Sequence, residues 1–310
     1  MTVPLERVVR ATAAGLLCLV ATAAGTQIAG AQFSDVPYVP TSWKVVEAML
    51  TLAKVGPDDY LIDLGSGDGR IVISAAKKHG VRGLGVDIDD ALVSGAQREA
   101  QRQGVGDKVA FVAGNLFDTD ISKATVVTMY LFPQVNMRLR PRLLTELKAG
   151  TRIVSHEFDM GNWQPDAKVT LAVPDKPYGA PSSEIFLWVV PADASGKWRW
   201  RLAIAGAARD YELKLEQTFQ MLQGESLVAG RRARFVSGRM RGEYVSFTLA
   251  ADVDGREVQH EFSGRISGDA IEGKVVLRGT VSAQGEWKAT RTTRGMLNIS
   301  AGAPVAARIL

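Results

Sequence analysis

The chain of 310 residues has one cysteine, Cys18, and it lies in an apolar stretch near the N-terminus. If that stretch is removed, no cysteine remains, which excludes disulfides, thiolate metal sites and a cysteine nucleophile. A cysteine-free body suits an oxidising compartment. Histidine is scarce as well: His79, His156 and His260 are scattered, and their spacing makes no metal set. No basic run is interleaved with aromatics, and a net charge of +4 is too small to argue nucleic-acid binding. A solvated surface of mixed charge is the expectation. Beyond the first thirty residues there is no apolar run of the roughly 20 residues that a membrane-spanning helix needs.

What is present begins with the layout of a secretory signal. Arg7 and Arg10 form a short basic region, Ala11 to Gly25 is apolar, and Ala29-Gly30-Ala31 offers a small-residue cleavage site before Gln32. Residues 1–31 are therefore expected to be a signal peptide, and the body exported, periplasmic or extracellular. The alternative is an uncleaved signal that anchors the chain in the membrane. Gly15-Leu16-Leu17 before Cys18 is a poor lipidation motif.

Two regions of different character follow. From 35 to 191, segments with strand and helix patterns alternate. A helix from Thr41 or Ser42 to about Val55 is expected first, with Val45, Val46, Met49, Leu50 and Ala53 at helical spacing. Strands at Tyr60–Leu64, Gly83–Val86, Val109–Val112, Thr125–Tyr130 and Thr151–His156 are separated by helices at Ile71–Lys78, Ala91–Gln103 and Arg138–Leu147. Glu184–Val190 reads as one more strand. This alternation predicts an α/β domain with a parallel sheet, right-handed crossovers and helices on both faces. From 197 to 294 the helical period fades. Short alternating segments at Trp198–Ile204, Tyr211–Met221, Arg234–Arg239, Tyr244–Val253, Glu257–Ile266, Ala270–Leu277 and Glu286–Thr290 predict an all-β domain, a meander closed as a barrel or folded as a sandwich. Arg231-Arg232-Ala233-Arg234 reads as a solvated turn. Residues 295–310 read as a mobile tail.

The chemistry is concentrated after the first strand, in Asp63-Leu64-Gly65-Ser66-Gly67-Asp68-Gly69. A dinucleotide fingerprint would place glycines at its first, third and sixth positions and aim a helix N-terminus at a pyrophosphate. Here they stand first, third and fifth, with a carboxylate two residues ahead. That pattern suits S-adenosylmethionine (SAM), which has an amino group and a sulfonium but no phosphate. Gly65, Gly67 and Gly69, with Ser66 between them, would let the backbone pass close to the cofactor, and Asp63 would meet its methionine ammonium. Asp87 ends the second strand about 20 residues on, where a carboxylate binds vicinal ribose hydroxyls. Asp89 reads as a helix N-cap. After the third strand, Asn115 can accept from the adenine amino group, or it is a turn residue. Leu116 would pack on the adenine ring.

With these motifs in place, Val39 to about Pro165 resembles the lysine methyltransferases of the mitochondrial ATP synthase c-subunit and adenine nucleotide translocase, with their prokaryotic relatives. The matching residues are Val39-Pro40-Thr41, Leu61 to Val72 across the glycine loop, Tyr130-Leu131-Phe132-Pro133, Ser155-His156 and Gly161-Asn162-Trp163. The resemblance implies a Rossmann-like class I SAM-dependent methyltransferase acting on protein lysine. It covers less than half of the chain and does not reach the β-rich part. Asn115 stands where relatives commonly have an acidic residue, and an export signal would carry the enzyme away from the compartment where SAM is made.

Methyl transfer is an in-line displacement that asks for alignment, exclusion of water and an unprotonated nucleophile, with no metal. Tyr130 can orient an amine and offer its ring to a methylated cation; alternatively it is a core aromatic. Phe132 and Pro133 would wall the acceptor channel, with Asn136 and Trp163 as further substrate contacts. His156 can take a proton, or it is structural. The partner is a protein or small-molecule methyl acceptor, with a membrane-associated substrate open to an exported enzyme and nucleic acid not expected. Three functions compete: a lysine methyltransferase, a small-molecule methyltransferase, and a non-catalytic exported binding protein that retains the fold.

Overall fold

The computed structural model describes residues 38–300, apart from 177, 178, 205, 254 and 281. The expected signal peptide and Cys18 lie outside the described residues, as does the tail from 301 on. Helix α1 (Trp43–Leu52) is capped by Ser42, whose side chain accepts from the Val45 N–H, and it buries Val45, Val46, Met49 and Leu50. Strand β1 (Tyr60–Leu64) leads through the glycine loop into α2 (Arg70–His79). Glycines with positive φ flank that helix, Gly69 at +77° and Gly80 at +71°. After β2 (Arg82–Asp87), Asp89 caps α3 (Asp90–Arg102) by accepting from the Ala91 and Leu92 N–H groups. Strands β3 (Val109–Ala113) and β4 (Val126–Met129) follow.

The next helix, α4, spans Pro133–Thr145, five residues ahead of the expected start at Arg138. Pro133 stands at its first turn, where a missing N–H costs nothing, while Pro141 sits inside it. Strand β5 (Arg152–His156) then runs parallel to β4. The sheet ends differently from the all-parallel expectation. Strand β7 (Ser182–Val189) pairs antiparallel with β5, and an edge strand not foreseen in the sequence, β6 (Ala167–Ala172), pairs antiparallel with β7. The resulting order is β3-β2-β1-β4-β5-β7-β6. Its direction reverses between β1 and β4, so a crevice opens at the C-terminal ends of β1, β2 and β4. This is the Rossmann-like class I methyltransferase sheet, with apolar cores on both faces.

The second region is a closed antiparallel barrel of eight strands, each paired to the next and the last to the first. They are β8 (Gly196–Ile204), β9 (Ala207–Thr218), β10 (Met221–Val228), β11 (Arg231–Arg241), β12 (Tyr244–Val253), β13 (Arg256–Ser267), β14 (Ala270–Gly279) and β15 (Ala283–Arg294). The segment expected as one strand at Tyr211–Met221 is two, because the chain reverses at Phe219, with φ +52°. Arg231–Arg234, expected as a turn, opens β11. Inside, Trp200 lies 5.0 Å from Tyr211, 5.2 Å from Phe262 and 5.3 Å from Trp287, ring centre to ring centre, so side chains fill the barrel.

Phe219 pegs the barrel to the sheet region. Its ring stacks on Trp163 at 5.9 Å, and the Arg140 guanidinium of α4 lies over it at 5.1 Å. Arg239 pairs with Asp166 at 2.7 Å, and Gln220 donates to the Gln164 carbonyl at 2.6 Å. The expected tail is held at its start: the Asn298 N–H donates to the Gln217 carbonyl at 2.9 Å.

Candidate active site

The glycine loop is tied to β2 by its backbone, Gly65 and Ser66 N–H groups both donating to the Val86 carbonyl at 2.8 and 2.9 Å. Gly67 has φ +52°, and a Cβ there would stand 2.4 Å from the exposed Tyr38 ring, so any other residue would take a strained backbone and displace that ring. Gly65 and Gly69 also take positive φ, +80° and +77°. Asp87 closes the loop from below: its Oδ2 accepts the Gly67 N–H at 2.7 Å and its Oδ1 the Asp89 N–H at 3.1 Å. Glycine loop and second carboxylate are thus one hydrogen-bonded unit.

Asp63 sits beneath, 2% exposed, opposite Thr128 in the β1–β4 register. The Thr128 hydroxyl donates to its Oδ1 at 2.7 Å. Burial pushes the Asp63 carboxyl up to about 7; the Thr128 bond opposes that shift, and the Asp87 and Asp68 charges add to it. A buried carboxylate beside two others gains most from an incoming cation. The methionine ammonium of SAM is such a cation, and the glycines of the loop leave it room. The donor set therefore fits this cofactor. Among the described residues no three His, Cys, Asp or Glu side chains converge on a metal site.

Two expected cofactor contacts are placed otherwise. The Ser66 Oγ is buried without a partner and turned onto β2, where a Cβ on Gly85 would be 2.7 Å from it; only the Ser66 backbone belongs to the loop. Asn115 is exposed and spent on its own turn, its Oδ1 accepting the Phe117 N–H at 3.0 Å and its Nδ2 donating to Asp118 at 2.9 Å. Leu116 beside it is half-buried against the α4-side core.

At the acceptor end, the ring of Tyr130 lies 4.0 Å from that of His156 and 6.2 Å from that of Phe158, and Phe132 is 6.0 Å from Phe158. Tyr130, Phe132 and Phe158 thus form one aromatic shelf, with exposed Pro133 next to Phe132 at the start of α4. Burial, then the Glu157 charge, raise the Tyr130 hydroxyl above its usual range, so it stays protonated. His156 is 3% exposed and boxed in: Nδ1 lies 3.2 Å from Thr41 Oγ1, Nε2 3.2 Å from Ser183 Oγ. Burial pushes it down to about 4. A neutral, doubly bonded imidazole under Tyr130 supports that ring; it is poorly placed to take protons as the expected general base.

Asn136 and Trp163 are also corrected. Asn136 is fully buried, and its Nδ2 donates to the Phe158 and Asp159 carbonyls, each at 3.2 Å, so it shapes the loop that carries Phe158. Trp163 is fully buried against Trp188 and Phe219 and faces the barrel. Their spacing in the sequence could not tell a buried brace from a substrate contact. Sequence reasoning missed Phe158, Thr128, Ser183 and Tyr38. The Tyr38 hydroxyl bonds Asp68, and burial raises it to about 12. Asp68 in turn carries Arg70, whose Nη1 holds the Thr41 carbonyl at 2.6 Å.

Comparison with known proteins agrees with this geometry. A family model described as the ANTKMT methyltransferase domain matches residues 63–167. A protein-lysine N-methyltransferase of Saccharolobus islandicus is 47% identical over 156 residues, 50% of this chain and 94% of that protein. The mouse adenine nucleotide translocase lysine N-methyltransferase is 38% identical and the human lysine N-methyltransferase of the ATP synthase c-subunit 33%; the chain spans only 58% and 55% of their lengths. A crystal structure of an RNA methyltransferase from Salinibacter ruber with S-adenosyl-L-homocysteine is 50% identical, covering 50% of this chain and 95% of that one, with a TM-score of 0.46. The family-model match stops short of the barrel, which begins at Gly196. The chain belongs to the family of the ANTKMT methyltransferase domain, and it is a class I SAM-dependent methyltransferase.

Proposed function

We propose that this enzyme methylates the side-chain amine of lysine in a protein. The observation that carries the reading is the aromatic shelf of Tyr130, Phe132 and Phe158 at the end of β4, beside the crevice. Aromatic faces attract a methylated ammonium through their quadrupole, by about 0.5–2 kcal/mol per ring. The names of the Saccharolobus and mouse relatives point to the same acceptor. When bound, SAM supplies an electrophilic methyl on a sulfonium. Asp63 holds its ammonium, Asp87 its ribose hydroxyls, and the glycine loop lets it lie against the backbone. Asn115 and Leu116 border the adenine end. Tyr130 orients the amine, Phe132 and Pro133 wall its path, and His156 fixes the Tyr130 ring from beneath. The amine gives up its proton to solvent before attack, because the one histidine nearby is already bonded on both nitrogens.

The signal read in residues 1–31 supports a reaction beyond the cytoplasmic membrane, on an exported or membrane-associated protein. The test is transfer of tritium from methyl-labelled SAM into soluble and membrane fractions of the source cell, followed by hydrolysis and amino-acid analysis. Label in methyllysine is expected, and it should vanish with Asp87→Ala, whose loss of charge-assisted hydrogen bonds should weaken SAM by roughly 10- to 100-fold or more in calorimetry. Label confined to a small molecule, to RNA or to another amino acid would sink the lysine reading.

A further inference from the structure

Beside the aromatic shelf lies a charged group that cofactor binding does not use. Glu157 follows β5 with φ +67°, in the left-handed region. A non-glycine residue there costs about 1 kcal/mol or more and persists only where its surroundings over-determine it. They do so here. The Glu157 N–H donates to the Glu184 carbonyl at 2.7 Å, and the Ser183 hydroxyl bonds its carboxylate. Its Oε1 lies 3.4 Å from His156 Nε2 and 2.6 Å from Lys176 Nζ. The same Nζ donates to the Ser182 carbonyl at 2.8 Å.

A lysine ammonium therefore already sits in a shaped polar seat, its side chain only 15% exposed. One imidazole separates that seat from the shelf, since His156 touches Glu157 on one side and the Tyr130 ring, at 4.0 Å, on the other. Lys176 belongs to the connection between β6 and β7 and has no part in either strand. We propose that Glu157 and the Ser182 carbonyl form the seat of the acceptor's ammonium, and that Lys176 is an internal placeholder which the acceptor lysine displaces. This rests on the lysine-acceptor reading and names the residues that would select the acceptor.

The chemistry of the seat supports that use. An ammonium has three donors and no acceptor. Glu157 and Ser182 take two of them, and the carboxylate selects a cationic amine over a neutral hydroxyl of similar size. Held as the ammonium, Lys176 has no lone pair and is not methylated in the seat; an acceptor lysine that displaces it docks there as the ammonium and gives its proton to solvent before its amine attacks beside Tyr130. It also spares the enzyme an uncompensated carboxylate in a half-buried site when no acceptor is bound. The left-handed Glu157 backbone fixes the position of that carboxylate whichever lysine is present.

The test uses the full chain saturated with S-adenosylhomocysteine and the probe Nα-acetyl-lysine methylamide, titrated by calorimetry. Lys176→Met should bind the probe at least tenfold more tightly than the unaltered chain. Lys176→Arg, which refills the seat with a cation, should not. Glu157→Gln added to Lys176→Met should remove the gain. Unchanged affinity for S-adenosylhomocysteine and an unchanged melting temperature report that each variant is folded. The proposal is overturned if Lys176→Met binds the probe no better, or not at all, or if its gain survives Glu157→Gln. Methyllysine labelling by the unaltered chain, together with no gain in Lys176→Met, would remove the placeholder and leave the acceptor reading standing; label on another residue type would remove that reading instead.

Discussion

The crevice of the sheet and the wall of the barrel handle polar groups in opposite ways. At the crevice, Asp63 is buried next to other carboxylates, Ser66 Oγ and Asn136 Oδ1 have no partner, and Gly65, Gly67, Gly69 and Glu157 all take positive φ. Along the barrel, strands exchange backbone hydrogen bonds with two neighbours. Charged side chains point outward into cross-strand pairs such as Lys288–Glu272 and Arg278–Glu261. Inside the barrel, Trp200 Nε1 and His260 Nε2 lack partners but are neutral: burial lowers His260 to about 4. The buried Arg291 is charged, and its Nε lies 3.3 Å from the Asp269 carboxylate. Buried carboxylate charge thus collects where a ligand can compensate it, whereas positive φ is found in both regions, Phe219 and Ala229 taking it at turns of the barrel.

The largest effect should come from breaking the barrel. A Cβ on Gly273 would stand 2.0 Å from the Ser263 carbonyl oxygen, in backbone that cannot yield. Gly273→Ala is expected to cost more than about 3 kcal/mol, in the range of severe overpacking. Calorimetric melting checks this, and SAM binding should survive at temperatures where the sheet region is still folded. If SAM binding falls with the barrel, the two regions are not separable in stability and the contrast between them fails.

Asp63→Asn should act in the opposite sense on stability and on binding. Because burial raises the Asp63 carboxyl to about 7 from an ordinary value of 3.8, its ionised form is disfavoured by folding. No penalty exists below the unfolded value, where both states are protonated. The penalty grows as pH rises between about 4 and 7 and is complete above that. Asp63→Asn should therefore raise the melting temperature of the ligand-free chain at about pH 8 and leave it nearly unchanged at about pH 3.5, while abolishing the gain that SAM gives the unaltered chain. Equal melting under the alkaline condition would show that the Asp63 carboxylate finds compensation within the protein.

The smallest effect belongs to the barrel surface. Arg234 pairs with Glu257 at 3.2 Å, both more than half exposed. Arg234→Ala should change stability by about 0.5 kcal/mol or less in a denaturant titration. A larger loss would mean that these outward pairs do more than decorate the wall.

Local pattern revealed much of this. Glycine spacing with Asp63 and Asp87 marks the cofactor loop, because turn geometry and charge are written in consecutive residues. Alternation of strand and helix marks the sheet. What stayed hidden depends on residues that meet only after folding. His156 reads as a base until Thr41 and Ser183, from either side in the chain, occupy its nitrogens. Trp163 reads as a substrate contact until Phe219, in another region, stacks on it. Asn136 reads alike whether it faces substrate or braces the Phe158 loop. The antiparallel β6 was masked by its alternating burial, half-buried and exposed, which carries no strong apolar signal.

The peg at Phe219 has a practical consequence for handling this enzyme. Trp163 is completely covered, and part of its cover is a ring that the chain supplies only after residue 191. A catalytic half expressed without the barrel would present that indole and the face of α4 around Arg140 to water. Such a bared aromatic patch is sticky. The fragment would clump at concentrations the whole chain tolerates, and a polar replacement at Trp163 would be the place to begin restoring its solubility.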